Sequence, residues 1–348
     1  MIAIPIISAV LALLLALAIF SHAYYGRTLI ATVVEWYLRL TEKHYSVPEL
    51  EAALQKRRKD GDSPYTLRGK YEKRRLAYMA ECADTTCPRA KGRTKQPITE
   101  EDFGGMQVFC FGETNGADSA ILYLHGGAYY RKPRRQHIRF MSRLSRECGV
   151  PLIAPIYKKA PNHTCSEVYE LLTELYLKLS SKYDHIILGG DSSGGGLALG
   201  LACHLKASAL PSPELLILLS PWVDVSLENP MIADYIKADP IVFLDNVKLL
   251  GKVYAGELPL GDPKVSPINA DLRGLCPSHI FVGTREVLYP DCALLFNKMK
   301  ECGVSAKLHI ARGQNHVYPV FPIPEGRAAR GKISSIIRET LSGNSEKD

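Results

Sequence analysis

The sequence predicts an α/β fold, a mostly parallel sheet covered by helices on both faces, and three observations carry that prediction. Short apolar runs of strand length recur at Ala120–Leu124, Pro151–Tyr157, Ile186–Leu188, Leu215–Leu219, His279–Val282 and Ala306–Ile310. Between such runs lie helical patterns, as where Val168, Leu171, Leu172, Leu175 and Leu179 repeat on one face behind a Thr164/Glu167 capping box. The third observation is a single junction, where Ile186–Leu188 leads directly into Gly189-Gly190-Asp191-Ser192-Ser193-Gly194-Gly195 and a small-residue helix. Strands alternating with helices pair in parallel, and a parallel sheet is buried on both sides.

The chain has 348 residues, 46% of them hydrophobic and 23% charged, which suits one large domain plus an N-terminal extension. Its net charge of +7 is local: residues 27–95 hold sixteen Lys/Arg against nine Asp/Glu, so the remainder is balanced. Lys56-Arg57-Arg58-Lys59 and Lys73-Arg74-Arg75 read as solvated helix faces, because no nucleic-acid motif accompanies them. Nine cysteines, an odd number without framework spacing, exclude a disulfide scaffold. Cys82 and Cys87 have no second Cys/His pair at zinc spacing, so no structural metal is expected.

Ile2 to Phe20 is an uncharged run of nineteen residues. As a helix it would be about 28 Å long, close to the thickness of a bilayer core. Residues 1–26 are therefore read as a transmembrane anchor. The alternative is a cleaved signal ending near Ser21-His22-Ala23 and a secreted protein, but no Lys or Arg precedes the run. Arg27, Arg39 and Lys43 follow it, which puts the domain on the cytoplasmic side by the positive-inside rule. The Asn162-His163-Thr164 sequon would matter only in a eukaryotic lumen. Residues 27–97 read as a basic helical linker and cap region, with an aromatic-rich helix from Thr28 to about Tyr45 and a capping box at Ser46/Glu49. Residues 98–342 form the main domain, its regular alternation starting near Met106, with an insertion at about 226–261.

The Ser192 junction has the G-x-S-x-G pattern of a nucleophile elbow. A strand that turns at once into a helix strains its central residue, and the flanking glycines remove the Cβ atoms that would collide. The hydroxyl is thereby exposed at a helix N-terminus, which favours negative charge. About 65 residues earlier, His125-Gly126-Gly127-Ala128 ends another strand, in a loop able to direct backbone N–H groups at one point. The amides of Gly126, Gly127 and Ser193 would then form an oxyanion hole, with His125 holding the loop.

These two motifs together resemble the hormone-sensitive-lipase-like family of α/β-hydrolase esterases, which pair H-G-G-G with G-D-S-A-G-G. Ser220-Pro221-Trp222-Val223-Asp224, Asp262-Pro263, Ser266-Pro267 and Asn315-His316 agree with it, over roughly residues 118–321. Ala128 and Ser193 depart from the family pattern, but each keeps a backbone N–H and a small side chain. The order Ser, acid, His for this fold selects His316 as base, on the loop after Ala306–Ile310; His137, His163, His185, His204 and His309 read as surface or core residues. The family acid position, after a strand ending in glycine, is occupied by Glu286 in Val282-Gly283-Thr284-Arg285-Glu286-Val287-Leu288, with Asp291 as the alternative acid.

The resemblance implies a serine carboxylic-ester hydrolase for short-to-medium acyl esters, working through an acyl-enzyme without a cofactor, under a helical cap. With an anchor nearby, membrane-associated acetyl esters are the expected small-molecule substrates. Met231, Tyr235, Ile241, Phe243 and Tyr254 in the insertion either line that site or fill the core. An amide or formamide hydrolase would use the same triad. A non-catalytic ligand receptor on this scaffold, or a membrane-anchored interaction protein, would not need Ser192 and His316. Oligomeric state is left open.

Overall fold

The computed structural model of the chain describes residues 3–42, 44, 46–60 and 96–344. Its strands are β1 Ile98–Phe103, β2 Met106–Phe111, β3 Ser119–Leu124, β4 Leu152–Pro155, β5 His185–Asp191, β6 Leu215–Leu219, β7 Ser278–Arg285 and β8 Ala306–Asn315. They form one sheet in the order β1-β2-β4-β3-β5-β6-β7-β8. β2 pairs antiparallel with β1 and β4, and every other neighbouring pair is parallel. Alternate residues feed two separate cores: Ala120, Leu122 and Leu124 of β3 face one, and Ile121 and Tyr123 face the other. Both faces need cover, which the helices supply.

β1 is an element that the sequence pattern conceals. Its Ile98-Thr99-Glu100-Glu101-Asp102-Phe103 is acidic and mostly exposed, as befits an edge strand, where charge discourages further pairing. A two-residue turn, Gly104-Gly105, both at positive φ, joins it to β2.

The helices of the main domain are Arg135–Cys148, Cys165–Ser180, Ser193–Ala207, Leu244–Ala255, Tyr289–Glu301 and Pro324–Asn344. At the second of these the expected capping box forms, with Thr164 N–H donating to Glu167 Oε2 at 2.9 Å. The first and last lie against the core that holds Ile121, through Ile138, Leu144, Ile333 and Ile337; Leu172, Leu199 and Leu295 lie in the other.

N-terminal to the sheet are α1 Ala3–Phe20, a π-turn Ser21–Tyr25, α2 Leu29–Thr41 and α3 Val47–Asp60. No single helix among the described residues is long and apolar enough to cross a membrane, in contrast to the span expected at residues 2–20. Residues 10–25 and 29–41, meeting at 80°, pass that test only as a bent pair. The break at 61–64, the Lys73-Arg74-Arg75 run and Cys82/Cys87 lie outside the described residues.

A buried ionic knot docks α2 on the domain. Glu35 accepts from Arg27, from Arg39 Nε at 3.0 Å, and from Arg285 Nε and Nη2 at 3.1 and 2.9 Å. Arg27 also donates to the Gly313 carbonyl at 3.0 Å. Such a cluster adds little net stability over apolar packing, but breaking it strands buried charge. Ser21 is equally embedded, its hydroxyl against Thr32 and the Arg27 carbonyl.

The insertion serves both roles open to it in the sequence. Tyr254 is core, stacked on Tyr129 at 3.6 Å. Phe243, Val247 and Leu250 instead wall a cleft. Leu50 and Leu54 of α3 cluster with Leu250 and Tyr130 beside it.

Candidate active site

Ser192 sits between β5 and the helix Ser193–Ala207 with φ 53° and ψ −123°, a conformation costly for any residue with a Cβ. Close packing holds it there. A Cβ on Gly194 would lie 2.1 Å from the Leu124 carbonyl oxygen, so glycine at that position is what lets the elbow sit against β3.

His316 follows β8 directly and is buried. Its Nε2 lies 2.9 Å from Ser192 Oγ, and its Nδ1 lies 2.7 Å from Glu286 Oε2. A carboxylate oxygen accepts, so Nδ1 carries the proton and Nε2 is left as acceptor for the serine hydroxyl. The other oxygen of Glu286 accepts from Gly283 N–H at 2.7 Å and from Ser220 Oγ at 2.8 Å, and Ser220 Oγ accepts in turn from Val317 N–H at 3.0 Å. One hydroxyl thereby spans the acid and the residue after the base. Asp291 is elsewhere: it accepts from Asn229 Nδ2 at 2.8 Å, while His316 pairs with Glu286.

Burial alone would lower the His316 pKa, but Glu286, Asp239 and Asp191 together raise it above the ordinary 6.5. If His316 is the base, only its neutral form can take the serine proton. The acid limb of kcat/KM is therefore expected to have its midpoint above 6.5. A pH–rate profile with a midpoint at or below that value would contradict the reading.

Asp239 was not singled out in the sequence. It is buried, which pushes its carboxyl up to about 6. It accepts from the N–H groups of Ile241, Val242 and Val287 at 2.8, 2.9 and 3.0 Å. Ile241 and Val242 wall the cleft and Val287 follows Glu286, so Asp239 fastens the insertion to the acid loop. The Asp239-Pro240 pair, a frequent turn signal, was the available clue.

The loop after β3 is held from two sides. His125 is buried, which lowers its pKa to about 3. Its neutral ring donates from Nδ1 to the Gly126 carbonyl at 2.8 Å and stacks on Tyr157 at 4.6 Å, a loop-holding place in the structure. Asp191, next to Ser192, accepts from Tyr123 Oη at 2.9 Å and His137 Nε2 at 3.0 Å. His137 Nδ1 accepts from Arg134 N–H at 2.9 Å, which fixes the proton on Nε2. His137, expected to be an ordinary surface or core residue, thus anchors the elbow. Burial would raise the Asp191 pKa, but His137, the Gly126 amide and Tyr123 outweigh it and hold the carboxyl below its usual range. Gly126 packs tightly against this carboxylate: a Cβ on it would lie 2.2 Å from Asp191 Oδ2. Gly127, Ser192 and His316 line the cleft, with Phe243 and Phe321 on its walls and Arg131, Lys132 and Arg134 at its rim. Among the described residues no cluster of three His, Cys, Asp or Glu is placed to hold a metal ion.

The remaining histidines named above lie outside this cleft: His163 pairs with Glu167, His185 with Glu214, His309 with His279, and His204 packs on Tyr169.

A model of the α/β-hydrolase fold matches residues 121–320. An esterase of Acinetobacter venetianus is 30% identical over 224 residues, 63% of this chain and 74% of the relative. An acetyl-hydrolase of Streptomyces hygroscopicus is 27% identical over 223 residues, 63% and 75% of the two chains. The crystal structure of an esterase from the bacterial hormone-sensitive lipase family superposes with a TM-score of 0.69 at 27% identity, covering 86% of this chain and all of the other. A match over more than half of the sequence, on a sheet with this strand order, makes the chain a member of the α/β-hydrolase family, a serine ester hydrolase of the hormone-sensitive-lipase-like kind.

Proposed function

We propose that the chain hydrolyses short-to-medium acyl esters through Ser192, His316 and Glu286. The observation that supports this most strongly is the unbroken line from Glu286 through His316 to the Ser192 hydroxyl, at 2.7 and 2.9 Å. In this reading His316 Nε2 takes the Ser192 proton as Oγ attacks the ester carbonyl, and Glu286 stabilises the imidazolium. The Gly126, Gly127 and Ser193 amides meet the oxyanion. The imidazolium protonates the departing alcohol, and water then repeats the sequence on the acyl-enzyme.

Membrane-associated acetyl esters remain the proposed natural class. A relative named acetyl-hydrolase and the apolar N-terminal helix both support it. The N-terminal segment is proposed to be retained rather than cleaved, because cleavage after Ala23 would remove Ser21, whose hydroxyl is bonded inside the fold. The charge count that places the domain on the cytoplasmic side belongs to the same proposal.

The test is p-nitrophenyl ester turnover across a graded acyl series, with a fluorophosphonate label mapped by peptide mass. Turnover that declines beyond medium chains, and an adduct on Ser192, are expected. A folded protein inert to the whole series, or an adduct at another residue, would remove the proposal.

A further inference from the structure

α2 turns its two faces to very different surroundings. Ala31, Thr32, Glu35 and Leu38 are buried against the domain. The opposite face presents Ile30, Val33, Trp36, Tyr37 and Leu40, with Val33 51%, Trp36 49% and Leu40 84% exposed. No charged residue lies on that outward face, since Glu35 is buried and Arg39 folds back to Glu35 and the carbonyls of Lys237 and Ala238. A soluble surface helix shows the reverse arrangement, polar side out.

Two further observations say what covers this face. α1 meets α2 at 80° and exposes Leu11, Leu14, Leu15 and Ile19 without a charged residue, so the apolar surface of α2 continues into a second apolar helix set across it. That is the geometry of one helix entering a bilayer while the next lies along its surface. Trp36 and Tyr37 belong to the residue types that settle at the lipid–water boundary. The end of α2 also adjoins the cleft: Glu42, just past its last turn, pairs with Arg134 of the rim, with Arg134 Nη2 at 3.0 Å from Glu42 Oε2, and His44 packs on Phe243 of the cleft wall at 5.2 Å.

We propose that the outward face of α2 is an in-plane membrane-docking surface that sets the cleft mouth at the lipid headgroups, so that esters dissolved in the bilayer reach Ser192 without crossing bulk water. This rests on the ester-hydrolase reading for its substrate, but not for the surface itself.

The chain contains two tryptophans, and Trp222 is only 2% exposed, so Trp36 is a reporter already in place. The full chain is reconstituted into vesicles of phosphatidylcholine with a minority of phosphatidylserine, including lipids brominated high on the acyl chain. Quenching of a fluorescence component that is absent in Trp36→Phe is expected. A Trp36 component that stays open to aqueous iodide and untouched by the bromolipid would overturn the proposal.

Activity provides the second arm. In the Val33→Asp/Leu40→Asp double variant, turnover of the acetyl ester of a long-chain alcohol embedded in the vesicles should fall at least about tenfold, since two apolar contacts with lipid are replaced by charges. Turnover of soluble p-nitrophenyl acetate should stay unchanged. Equal turnover of the embedded ester by variant and wild type, or an equal fall on both substrates, would overturn the proposal. If the wild type hydrolyses neither ester, the ester-hydrolase reading fails and the quenching result alone decides the surface.

Discussion

Replacing Ser192 with alanine is expected to lower kcat on a p-nitrophenyl ester by about 10⁶-fold, as nucleophile removal does in serine hydrolases whose triad acts as a unit. KM should hardly move, because the cleft walls are untouched. The fold should survive, since alanine occupies the φ 53° position no less readily than serine does. Residual turnover would come from amides and binding alone, which is why the expected loss is large but finite. The decisive measurement is single-preparation kinetics with thermal unfolding in parallel. Activity within an order of magnitude of wild type, on a protein with unchanged Tm, would mean that the nucleophile lies elsewhere.

The second large effect concerns the acid. Glu286→Gln should keep the bonds from Ser220 and Gly283 if its amide oxygen takes the Oε1 place. Its NH₂ would then face His316 Nδ1, forcing the ring proton to Nε2, where it opposes the Ser192 hydroxyl. A wrong tautomer of this kind costs about 10⁴ in kcat. Asp291→Asn is the matched control. Its carboxyl, raised to about 6 by burial, receives Asn229 Nδ2, and an amide oxygen can accept that bond as well. Little change in kcat is expected. The reverse ranking of the two variants would transfer the acid role to Asp291.

How much of this was legible before folding depended on the range of the interaction concerned. Ser192 announces itself because its strain is produced locally, by a strand and a helix adjoining one residue. His316 is pointed to by its place after a strand run, whereas Glu286 rests on the family acid position with Asp291 left open, and only the packed fold puts Glu286 rather than Asp291 against His316. β1 was not readable, because an edge strand carries its charge outward and shows no apolar run. Asp239 and His137 act through partners 48 and 54 residues away, and nothing in their own neighbourhood reveals those partners. The insertion divides the same way: only the packed fold separates Tyr254, stacked on Tyr129, from Phe243 at the cleft. Asp191 stood inside the motif, yet its bonds from Tyr123 and His137 and its close approach to Gly126 depend on how the surrounding elements pack.

The knot around Glu35 has a consequence for how the chain is made. Glu35 leaves the ribosome early, but Arg285 is 250 residues downstream, and the Gly313 carbonyl that receives Arg27 is 286 residues beyond Arg27. Contacts of such separation close only after the intervening sheet exists to present them. Until then an apolar helix and a carboxylate destined for burial stand without their final partners, and a bilayer engaged during synthesis would shelter the first while the domain assembles. A segment that emerges before the sheet is thus locked after it, and its docking reports that β7 and β8 are in place.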